Sequence, residues 1–411
     1  MRVLMLSWEY PPVVVGGLGR HVHALATALA DAGHDVVVVA RHPAGTDAET
    51  HPTTLGDDDG VRVLRVAEDP PHLEFVRDLV AWTLGLGHAM VRAALPLLRG
   101  WAPDVVHAHD WLVAHAGIAL AELTDAPLVA TLHATEAGRH GGWLSQPLNQ
   151  QVHSVEWWLA RSADAVVTCS QAMREEVSGL FDLDPDTVTV AHNGIDPTGW
   201  RTPRAVPDGP PTLLFFGRLE WEKGVHDLVA ALPAIRRAHP GTRLLVAGTG
   251  SCTDWLAERA RVARVRRSVR LLGHVDDAEL GALLATSTAV VLPSRYEPFG
   301  IVALEAAAAG APLVASRAGG LGEVVVDAVT GLSFDPGDVP GLARAVVAAL
   351  DDPEAAARRA ATARSRLDTD FAWPRIAAAT AALYAAVDRR PTPVLGRPKI
   401  PTGNVFGRTG S

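Results

Sequence analysis

The sequence has little cysteine, no long apolar run and no excess of positive charge. Its two cysteines, Cys169 and Cys252, lie in different halves of the 411 residues, so a disulfide framework is not indicated and a reducing cytoplasm is the expected compartment. No segment reaches the ~18–20 apolar residues of a membrane span, and the apolar run at the amino terminus is too short for a signal peptide. These shortages predict a cytoplasmic protein without stable membrane insertion.

Basic residues are also too few for a broad polyanion-binding surface. Lysine and arginine number 37 against 46 acidic residues, which gives a formal net charge of -9. Proteins that bind nucleic acid or anionic lipid broadly do so through an excess of positive charge. We therefore expect no nucleic-acid partner, and any polyanion must be met by a few placed cations. The composition gives no indication of an oligomeric state.

Short valine-rich runs separated by helix-compatible stretches fill most of the chain. This alternation is typical of α/β domains with largely parallel sheets. The rhythm restarts after a proline-rich segment, and 411 residues exceed the length at which a single core stops growing. We predict two doubly wound, Rossmann-like α/β domains. The expected ranges are a first domain at 1–195, a linker at 196–211, a second domain at 212–372, a helix at 373–390 that packs back on the first domain, and a disordered tail at 391–411.

Two cations follow the first strand of the second domain, TLLFFG. Ligands of open α/β sheets bind at the carboxyl ends of the strands, which is where Arg218 and Lys223 stand. In a loop, both side chains can converge on one anion, and Gly217 and Gly224 would let the backbone approach it. An exposed loop with ordinary surface charges is the alternative interpretation.

Two glutamates mark the beginning of an alanine-rich helix in YEPFGIVALEAAAAG. The helix is predicted to start at Pro298-Phe299-Gly300, where free amide groups and the helix dipole favour an anion. Glu297 stands at this end, and Glu305 lies inside the helix. A buried carboxylate is costly without a partner, and the vicinal hydroxyls of a ribose or a hexose would provide one. The alternative is a Glu305 side chain that reaches solvent.

The first domain carries its own candidates at predicted strand ends. Gly16 and Gly17 occupy a strand-to-helix turn where the backbone must come close to another group. Asp110 ends the strand in PDVVHAHDW, and His133 ends the next strand, PLVATLH. A single buried histidine is usually a packing residue. Polar side chains at adjacent strand ends instead indicate a site at one edge of the sheet.

The Gly-Gly turn, the two cations five residues apart and the two glutamates eight apart together resemble the retaining glycosyltransferases of family 4, which have the GT-B fold. The motifs GRLEWEKG and NGID support the same resemblance, which covers about residues 1–390. The stretches SWEYPPVVVGGLGRH and HATEAGRH are most similar to the actinobacterial α-1,4-glucosyltransferases, glycogen synthases among them, of the glycogen and methylglucose polysaccharide pathways.

The resemblance implies two Rossmann-like domains that face a central cleft and a nucleotide-diphosphate glucose as donor. Arg218 and Lys223 would bind the donor diphosphate and stabilise it as it leaves. Glu297 would contact the transferred sugar and Glu305 the ribose. The backbone of Phe299, Gly300 and Ile301 would contribute to the same donor site.

For the first domain, the resemblance places His133 beside the anomeric carbon and Asp110 near the acceptor, while Gly16 and Gly17 would close the donor pocket. It also implies retention of the anomeric configuration by front-face departure and attack, without an obligatory protein nucleophile. Catalysis would then consist of positioning and charge stabilisation. No cofactor or metal is expected, because the two cations and the helix terminus would take the place of a metal ion.

The donor nucleotide and the acceptor stay open. Related bacterial glycogen synthases carry a lysine two residues before the Gly-Gly pair, and this chain has Val14 there, so their preference for ADP-glucose does not carry over. UDP-glucose and ADP-glucose are both expected donors, and an α-1,4-glucan of the glycogen or methylglucose polysaccharide type is the expected acceptor. Another sugar nucleotide, such as GDP-mannose, or a lipid or small-molecule acceptor is the alternative.

Three other classes of function are alternatives to the transferase. A nicotinamide oxidoreductase is disfavoured because neither glycine cluster keeps the G-x-G-x-x-G spacing. A metal-dependent hydrolase could use His107, His109, Asp110 and His133 as ligands, and a nonenzymatic sugar-binding module would bind glucan without nucleotide. The acidic run Asp57–Asp59 is interpreted as a solvated turn in a polar loop ahead of a strand and not as a metal site.

Overall fold

Two α/β units make up the part of the chain that the computed structural model describes, which is residues 1–14, 16–42, 53–67, 72–200, 203–205 and 209–389. Of these residues, the first unit contains those within Met1–Asn193 and those from Trp373 to Arg389, and the second contains those within Gly194–Ala372. The predicted tail at 391–411 lies outside the described residues.

An eight-stranded sheet forms the centre of the first unit. Its order is β3-β4-β2-β1-β5-β6-β7-β8, and every neighbouring pair is parallel except β3 with β4. The central strands are buried along almost their whole length, as expected where helices cover both faces. The strands are β1 Arg2–Leu6, β2 Asp35–Arg41, β3 Thr54–Asp58, β4 Val61–Val66, β5 Val105–His109, β6 Leu128–Leu132, β7 Ala165–Thr168 and β8 Val188–Val190.

Helices connect these strands. In the first helix, Leu18, Val22, Leu25 and Leu29 recur at helical spacing and are buried. Side-chain oxygens cap the first turn of two later helices: that of Thr135 accepts from the amide of Gly138, and that of Ser170 accepts from the amide of Met173. The helices are α1 Gly17–Asp31, α2 Leu79–Leu98, α3 Ala114–Thr124, α4 Glu136–Arg139, α5 Pro147–Ser162 and α6 Gln171–Phe181.

The acidic run Asp57–Asp59 lies in a β-hairpin, so its assignment to a polar loop ahead of a strand is wrong. Asp57 and Asp58 belong to β3, which pairs antiparallel with β4. Asp59 and Gly60 form the two-residue connection, with φ of 52° and 79°, as a type I′ turn requires. The strand is mostly exposed at the sheet edge, so it lacks the apolar alternation that identifies buried strands, and only the Asp-Gly pair signals it.

A six-stranded parallel sheet forms the second unit, in the order β11-β10-β9-β12-β13-β14. The chain moves outward from β9 in one direction and then from β12 in the other, so a crevice opens between the carboxyl ends of these two neighbours. The doubly wound α/β fold predicted for both halves is confirmed. The strands are β9 Thr212–Phe216, β10 Arg243–Ala247, β11 Val269–Gly273, β12 Ala289–Leu292, β13 Leu313–Ser316 and β14 Leu332–Phe334.

The helices of the second unit surround a core of its own. In the first of them, apolar residues recur at helical spacing and are all buried in that core: Val225, Leu228, Val229, Leu232 and Ile235. The helices are α7 Val225–Ala238, α8 Thr253–Val262, α9 Asp277–Thr286, α10 Ile301–Ala308, α11 Leu321–Val324, α12 Val339–Asp351, α13 Pro353–Ser365 and α14 Leu367–Asp370.

The last described helix, α15 Trp373–Ala386, returns to the first unit. The hydroxyl oxygen of Tyr384 lies 2.6 Å from Nδ1 of His107, and the Trp373 ring meets the His21 ring edge-on at 5.4 Å between centroids. The chain therefore closes the first unit with a segment that follows the whole of the second.

The described part of the predicted linker is tied to the second unit. Arg204 donates to the carbonyl oxygens of Leu284 and Ser287 at 3.1 and 2.8 Å, and the amide of Ala205 donates to Ala285. These hydrogen bonds fix the segment to the end of α9 and the residue after it. These residues of the predicted linker at 196–211 therefore belong to the second unit.

Candidate functional site

The crevice between β9 and β12 contains an ion pair between two of the predicted site residues. Lys223 follows β9, Glu297 follows β12, and the Lys223 Nζ lies 2.8 Å from the Glu297 Oε2. The two side chains are 17% and 10% exposed, so solvent screens their attraction less than at an open surface. The hydroxyl of Ser294 lies 3.3 Å from the same oxygen. A positive and a negative group are thus held together at the ligand-binding edge of this sheet.

Arg218 has a different carboxylate partner. Its Nη2 lies 3.1 Å from Oε1 of Glu222, and its side chain is 43% exposed. Glu222 in turn accepts, through its backbone oxygen, the amide of Arg295 at 2.7 Å. The two cations predicted to meet one anion are therefore each placed by a separate acid. Sequence analysis missed Glu222, because spacing of four residues signals a pair only on a helix and Arg218 lies in a loop.

A glycine with positive φ in the loop after β9 allows two backbone segments of the protein to pack closely. Gly224 has φ of 67°, and a Cβ placed there would overlap the carbonyl oxygen of Pro293. The loop after β9 thus packs directly on the chain that leaves β12. In a similar way, the amide of Gly320 donates to the backbone oxygen of Glu297 at 3.0 Å. For Gly224, protein backbone occupies the space that sequence analysis assigns to an approaching ligand.

The helix α10 begins directly after the three residues predicted to start it. Gly300 precedes it with φ of 104°, in a region that favours glycine, and a Cβ there would lie 2.8 Å from Cδ1 of Leu321. Phe299 is buried, with its ring 6.0 Å from that of Phe371, while Ile301 is the first helical residue. The start of α10 is therefore packed into the second unit.

Glu305 lies on the buried side of α10. It is 6% exposed, and its neighbours from Ala303 to Ala308 are buried as well. A side chain that reaches freely into solvent, the alternative considered from the sequence, is excluded by this burial.

A bidentate salt bridge also holds the segment that follows β12. Arg295 donates to both carboxylate oxygens of Asp227 at 2.8 and 2.9 Å, and its guanidinium lies 4.9 Å from the centre of the Trp221 ring. Asp227 is buried in the first turn of α7. This pair joins the segment after β12 to the helix after Lys223. Sequence analysis missed it, because its members are 68 residues apart and no local pattern connects them.

In the first unit, the Gly-Gly turn forms the start of α1. Gly17 is the first helical residue, and Gly16 precedes it with its amide 3.0 Å from Oε2 of Glu9. Glu9 follows β1 and is buried, with 4% of its surface exposed. A Cβ at Gly16 would meet nothing within 4 Å, whereas one at Gly19 would lie 3.2 Å from Cβ of Glu9. The close approach occurs at Gly19 and not at Gly16, and Glu9 was missed.

Asp110 and His133 lie together at the ends of neighbouring strands. The amide of His133 donates to Oδ1 of Asp110 at 2.7 Å. Asp110 has φ of 65°, an uncommon conformation for a residue other than glycine. Burial raises the pKa of the Asp110 carboxyl to about 6 and lowers the pKa of the His133 imidazole to about 3. At neutral pH the site therefore presents an aspartate beside a neutral histidine.

Three further histidines surround His133. Nδ1 of His109 lies 3.1 Å from Nε2 of His133, the His107 and His109 rings stand 4.0 Å apart, and the His21 ring is 4.8 Å from that of His133. Burial, followed by the neighbouring histidines, holds the pKa of His21, His107 and His109 well below its usual range. These histidines are thus uncharged at neutral pH, and the His109 ring can hydrogen bond to the His133 ring.

The metal-ligand set considered for a hydrolase is not the set that the structure brings together. His107 is engaged at both nitrogens, by Tyr384 at 2.6 Å and by Thr131 at 2.7 Å. Among the described residues, the histidines with ring nitrogens within 4.8 Å of one another are His21, His109 and His133. The spacing of these three would allow them to hold a metal ion. The ligand atoms of His23 and of Asp58 and Asp59 in the hairpin lie within the same distance of one another.

No helix in the described part of the chain is both long and apolar enough to cross a membrane.

Comparisons with known proteins agree with this geometry. The sequence profile described as Glycosyltransferase Family 4 matches residues 15–198, and the one described as Glycosyl transferases group 1 matches residues 198–366. Glycogen synthase from Mycobacterium tuberculosis H37Rv is 57% identical over 407 residues, which are 96% of this chain and 98% of that protein. The α-maltose-1-phosphate synthase of Mycolicibacterium smegmatis is 33% identical over 94% of this chain and 100% of its own.

Among solved structures, sucrose-phosphate synthase from Thermosynechococcus elongatus superposes with a TM-score of 0.77 at 25% identity, over 93% of this chain and 98% of that one. The same assignment follows from three findings: 57% identity to a glycogen synthase along nearly the whole of both chains, the two adjoining profile matches and the shared α/β architecture. This chain is a glycosyltransferase and belongs to glycosyltransferase family 4.

Proposed function

We propose that this protein is a retaining α-1,4-glucosyltransferase that moves glucose from UDP-glucose or ADP-glucose to the non-reducing end of an α-glucan of the glycogen or methylglucose polysaccharide type. The observation that carries the proposal is the Lys223–Glu297 ion pair at 2.8 Å, in the crevice of the second unit. Similarity to a glycogen synthase along almost the full length of both chains supports the glucan acceptor.

In this proposal the second unit binds the donor. Lys223 and Arg218 neutralise the diphosphate and stabilise its charge as it leaves, while Glu297, fixed by Lys223, accepts hydrogen bonds from the glucose hydroxyls. The amides at the start of α10, around Phe299, Gly300 and Ile301, add anion-binding dipoles. The buried Glu305 carboxylate serves the ribose hydroxyls.

The first unit supplies the remaining groups of the proposed reaction. The neutral His133 imidazole, positioned through Asp110 and His109, hydrogen bonds to the transferred sugar, and the Asp110 carboxylate lies near the acceptor. Gly16 and Gly17 contact the donor from the start of α1. Departure and attack on the same face of the sugar then need no protein nucleophile, so catalysis rests on position and charge.

We also propose that the transfer needs no metal ion, since Lys223 and Arg218 already provide positive charge for the diphosphate. Undiminished turnover in the presence of EDTA would support this statement, and restoration of a chelated, inactive enzyme by a divalent ion would contradict it. A cytoplasmic location is proposed as well, because the two cysteines are free, as in a reducing compartment.

A smaller acceptor is the second candidate. The relative from M. smegmatis is an α-maltose-1-phosphate synthase, so a phosphorylated sugar acceptor is favoured over other small molecules. The donor half of the site would work in the same way with such an acceptor. The two candidates therefore differ in the product and not in the requirement for Lys223 and Glu297.

The deciding experiment measures nucleotide release from UDP-glucose and from ADP-glucose, each with maltoheptaose, with glucose 1-phosphate and with no acceptor, and determines the product mass. We expect release that depends on maltoheptaose and products that grow by whole hexose units. Glu297→Gln serves as the donor-site control and should lower release with every acceptor. Release that requires glucose 1-phosphate would support the second candidate, and failure to release either nucleotide with any acceptor would contradict both.

A further inference from the structure

A strongly positive cavity lies in the second unit, away from the proposed donor site. Its volume is about 470 Å³. The lining contains no carboxylate and is dominated by arginine: Arg236, Gly241, Arg243, Arg261, Arg264, Arg266, Arg267 and Ser268. Six guanidinium groups around one cavity are unexpected in a chain with a net charge of -9.

The cavity is at the amino-terminal edge of the sheet. Arg243 is the first residue of β10, and Ser268 directly precedes β11, while Arg236 and Arg261 lie in the last turns of α7 and α8. The donor candidates follow the carboxyl ends of β9 and β12. Since a strand rises ~3.3 Å per residue, the five residues of a strand separate the two edges by roughly 16 Å, so one small ligand cannot occupy both places.

Most of these arginines have no acidic partner. Arg261 pairs with Glu258, and Arg236 donates to the hydroxyl of Ser268. Within the described part of the chain, Arg243, Arg264, Arg266 and Arg267 form no ion pair. Helix dipoles explain cations in the last turns of α7 and α8, but these four residues lie outside those helices. Their like charges repel one another, and a bound anion would relieve that repulsion.

We propose that this cavity is a second anion site, which binds a small ligand with two or more phosphate groups. Guanidinium groups bind phosphate oxygens in pairs, and four unpaired cations match more negative charge than one phosphate carries. The volume lies within the ~300–1,000 Å³ range of small-molecule sites, so a small polyanion is the occupant that we expect.

Inorganic pyrophosphate is a suitable probe, with calorimetry on the full chain. Because pyrophosphate can also occupy the donor site, we expect two binding events in the wild type. Arg266→Gln together with Arg267→Gln should weaken one event by about tenfold or more and leave the other. Lys223→Ala should do the opposite. Arg358→Gln with Arg359→Gln on α13 removes the same charge elsewhere and should leave both events.

The melting temperature in phosphate-free buffer shows whether the R266Q/R267Q protein is folded, and we expect no loss there because repulsion is removed. Two unchanged pyrophosphate events in R266Q/R267Q would overturn the proposal. Arginine-dependent binding of phosphatidylglycerol vesicles or of a single-stranded oligonucleotide, without binding of pyrophosphate at the cavity, would also overturn it and assign the arginines to a macromolecular partner.

Discussion

Lys223 and Glu297 are linked so closely that a change in one alters the other. Lys223→Ala removes the charge proposed to stabilise the departing diphosphate and also leaves a largely buried carboxylate without its cation. We expect kcat to fall by about 10²–10³-fold, with a smaller change in the KM for the donor. Steady-state kinetics with both nucleotide sugars measures this. A raised KM with unchanged kcat would show instead that Lys223 acts only in the ground state.

The double variant Lys223→Ala with Glu297→Gln provides a check on that interpretation. If the ion pair acts as one group, the two substitutions together should cost less than the sum of the single effects. Strict additivity in kcat would mean that the two side chains contribute independently, despite the 2.8 Å contact.

At neutral pH the Asp110 carboxyl is ionised, although its burial in the folded protein favours the protonated form. Its pKa is raised from the ordinary 3.8 to about 6 by burial, so the folded state binds its proton more tightly than the unfolded state does. Its contribution to stability is present below pH 3.8 and is lost as the pH rises through 6. Asp110→Asn keeps an oxygen for the His133 amide and should therefore stabilise the protein at pH 7 by about 1–3 kcal/mol.

Denaturant unfolding of D110N and wild type at pH 4, 5, 6 and 7 tests this. The difference in free energy of unfolding should be largest at pH 6–7 and fade toward pH 4. Asp125→Asn is the matched control, because Asp125 is an exposed aspartate that also has positive φ, at 52°. A difference that is independent of pH would refute the titration argument. Lower activity in D110N would indicate that the charge is kept for function.

At the scale of single elements, the turn between β9 and α7 depends on one glycine. Gly224→Ala would force a Cβ onto the carbonyl of Pro293 and adopt a left-handed conformation. We expect a loss of stability on the order of 3 kcal/mol or more. Gly33→Ala has the same type of φ, 86°, with no atom within 4 Å of the new Cβ, and should cost only about 1 kcal/mol.

Thermal or urea unfolding compares the two variants, and donor binding should weaken in G224A alone, since the overlap moves the loop that carries Lys223. Equal losses in the two proteins would mean that backbone conformation, and not the contact with Pro293, sets the cost.

The helix α15 is attached to the first unit through a polar contact in the interior. Tyr384→Phe removes the hydroxyl beside Nδ1 of His107 and leaves that buried nitrogen without its partner. The expected cost is about 1–3 kcal/mol. Thr380→Val, one turn earlier and also buried, removes a hydroxyl that bonds only within its own helix, and should cost less. A Thr380 variant as unstable as the Tyr384 variant would argue against a special role for the contact with His107.

For the whole molecule, the two units differ in continuity, because one continuous segment of the chain forms the second unit and two separate segments form the first. Residues 194–372 contain their own sheet and core without a contribution from elsewhere. We expect a fragment of these residues to fold alone and to bind UDP or ADP weakly, whereas residues 1–193 alone should be less stable because α15 is missing. Circular dichroism and calorimetry measure both. A well-folded 1–193 fragment beside an unfolded 194–372 fragment would reverse this ranking.

The sequence predicted those parts of the molecule that follow from local pattern. Valine runs marked the buried strands, and the spacing of Val225, Leu228 and Ile235 marked the buried face of α7. What it missed depends on chain segments that meet only after folding. Asp227 meets Arg295 across 68 residues, and His107 meets Tyr384 across 277. The exposed hairpin strand β3 was missed for a different reason, since it has no buried face to leave a pattern.

The return of α15 to the first unit also fixes an order of events during synthesis. The first unit begins at the first residue, yet the ribosome delivers its last helix only after all of Gly194–Ala372 has been made. At ~5–20 residues per second, these roughly 180 residues take about 10–35 s. Through that interval the nascent first unit lacks the helix that covers His21 and His107, while the later-made second unit can already complete its core. The half that is translated first is therefore the last to be completed.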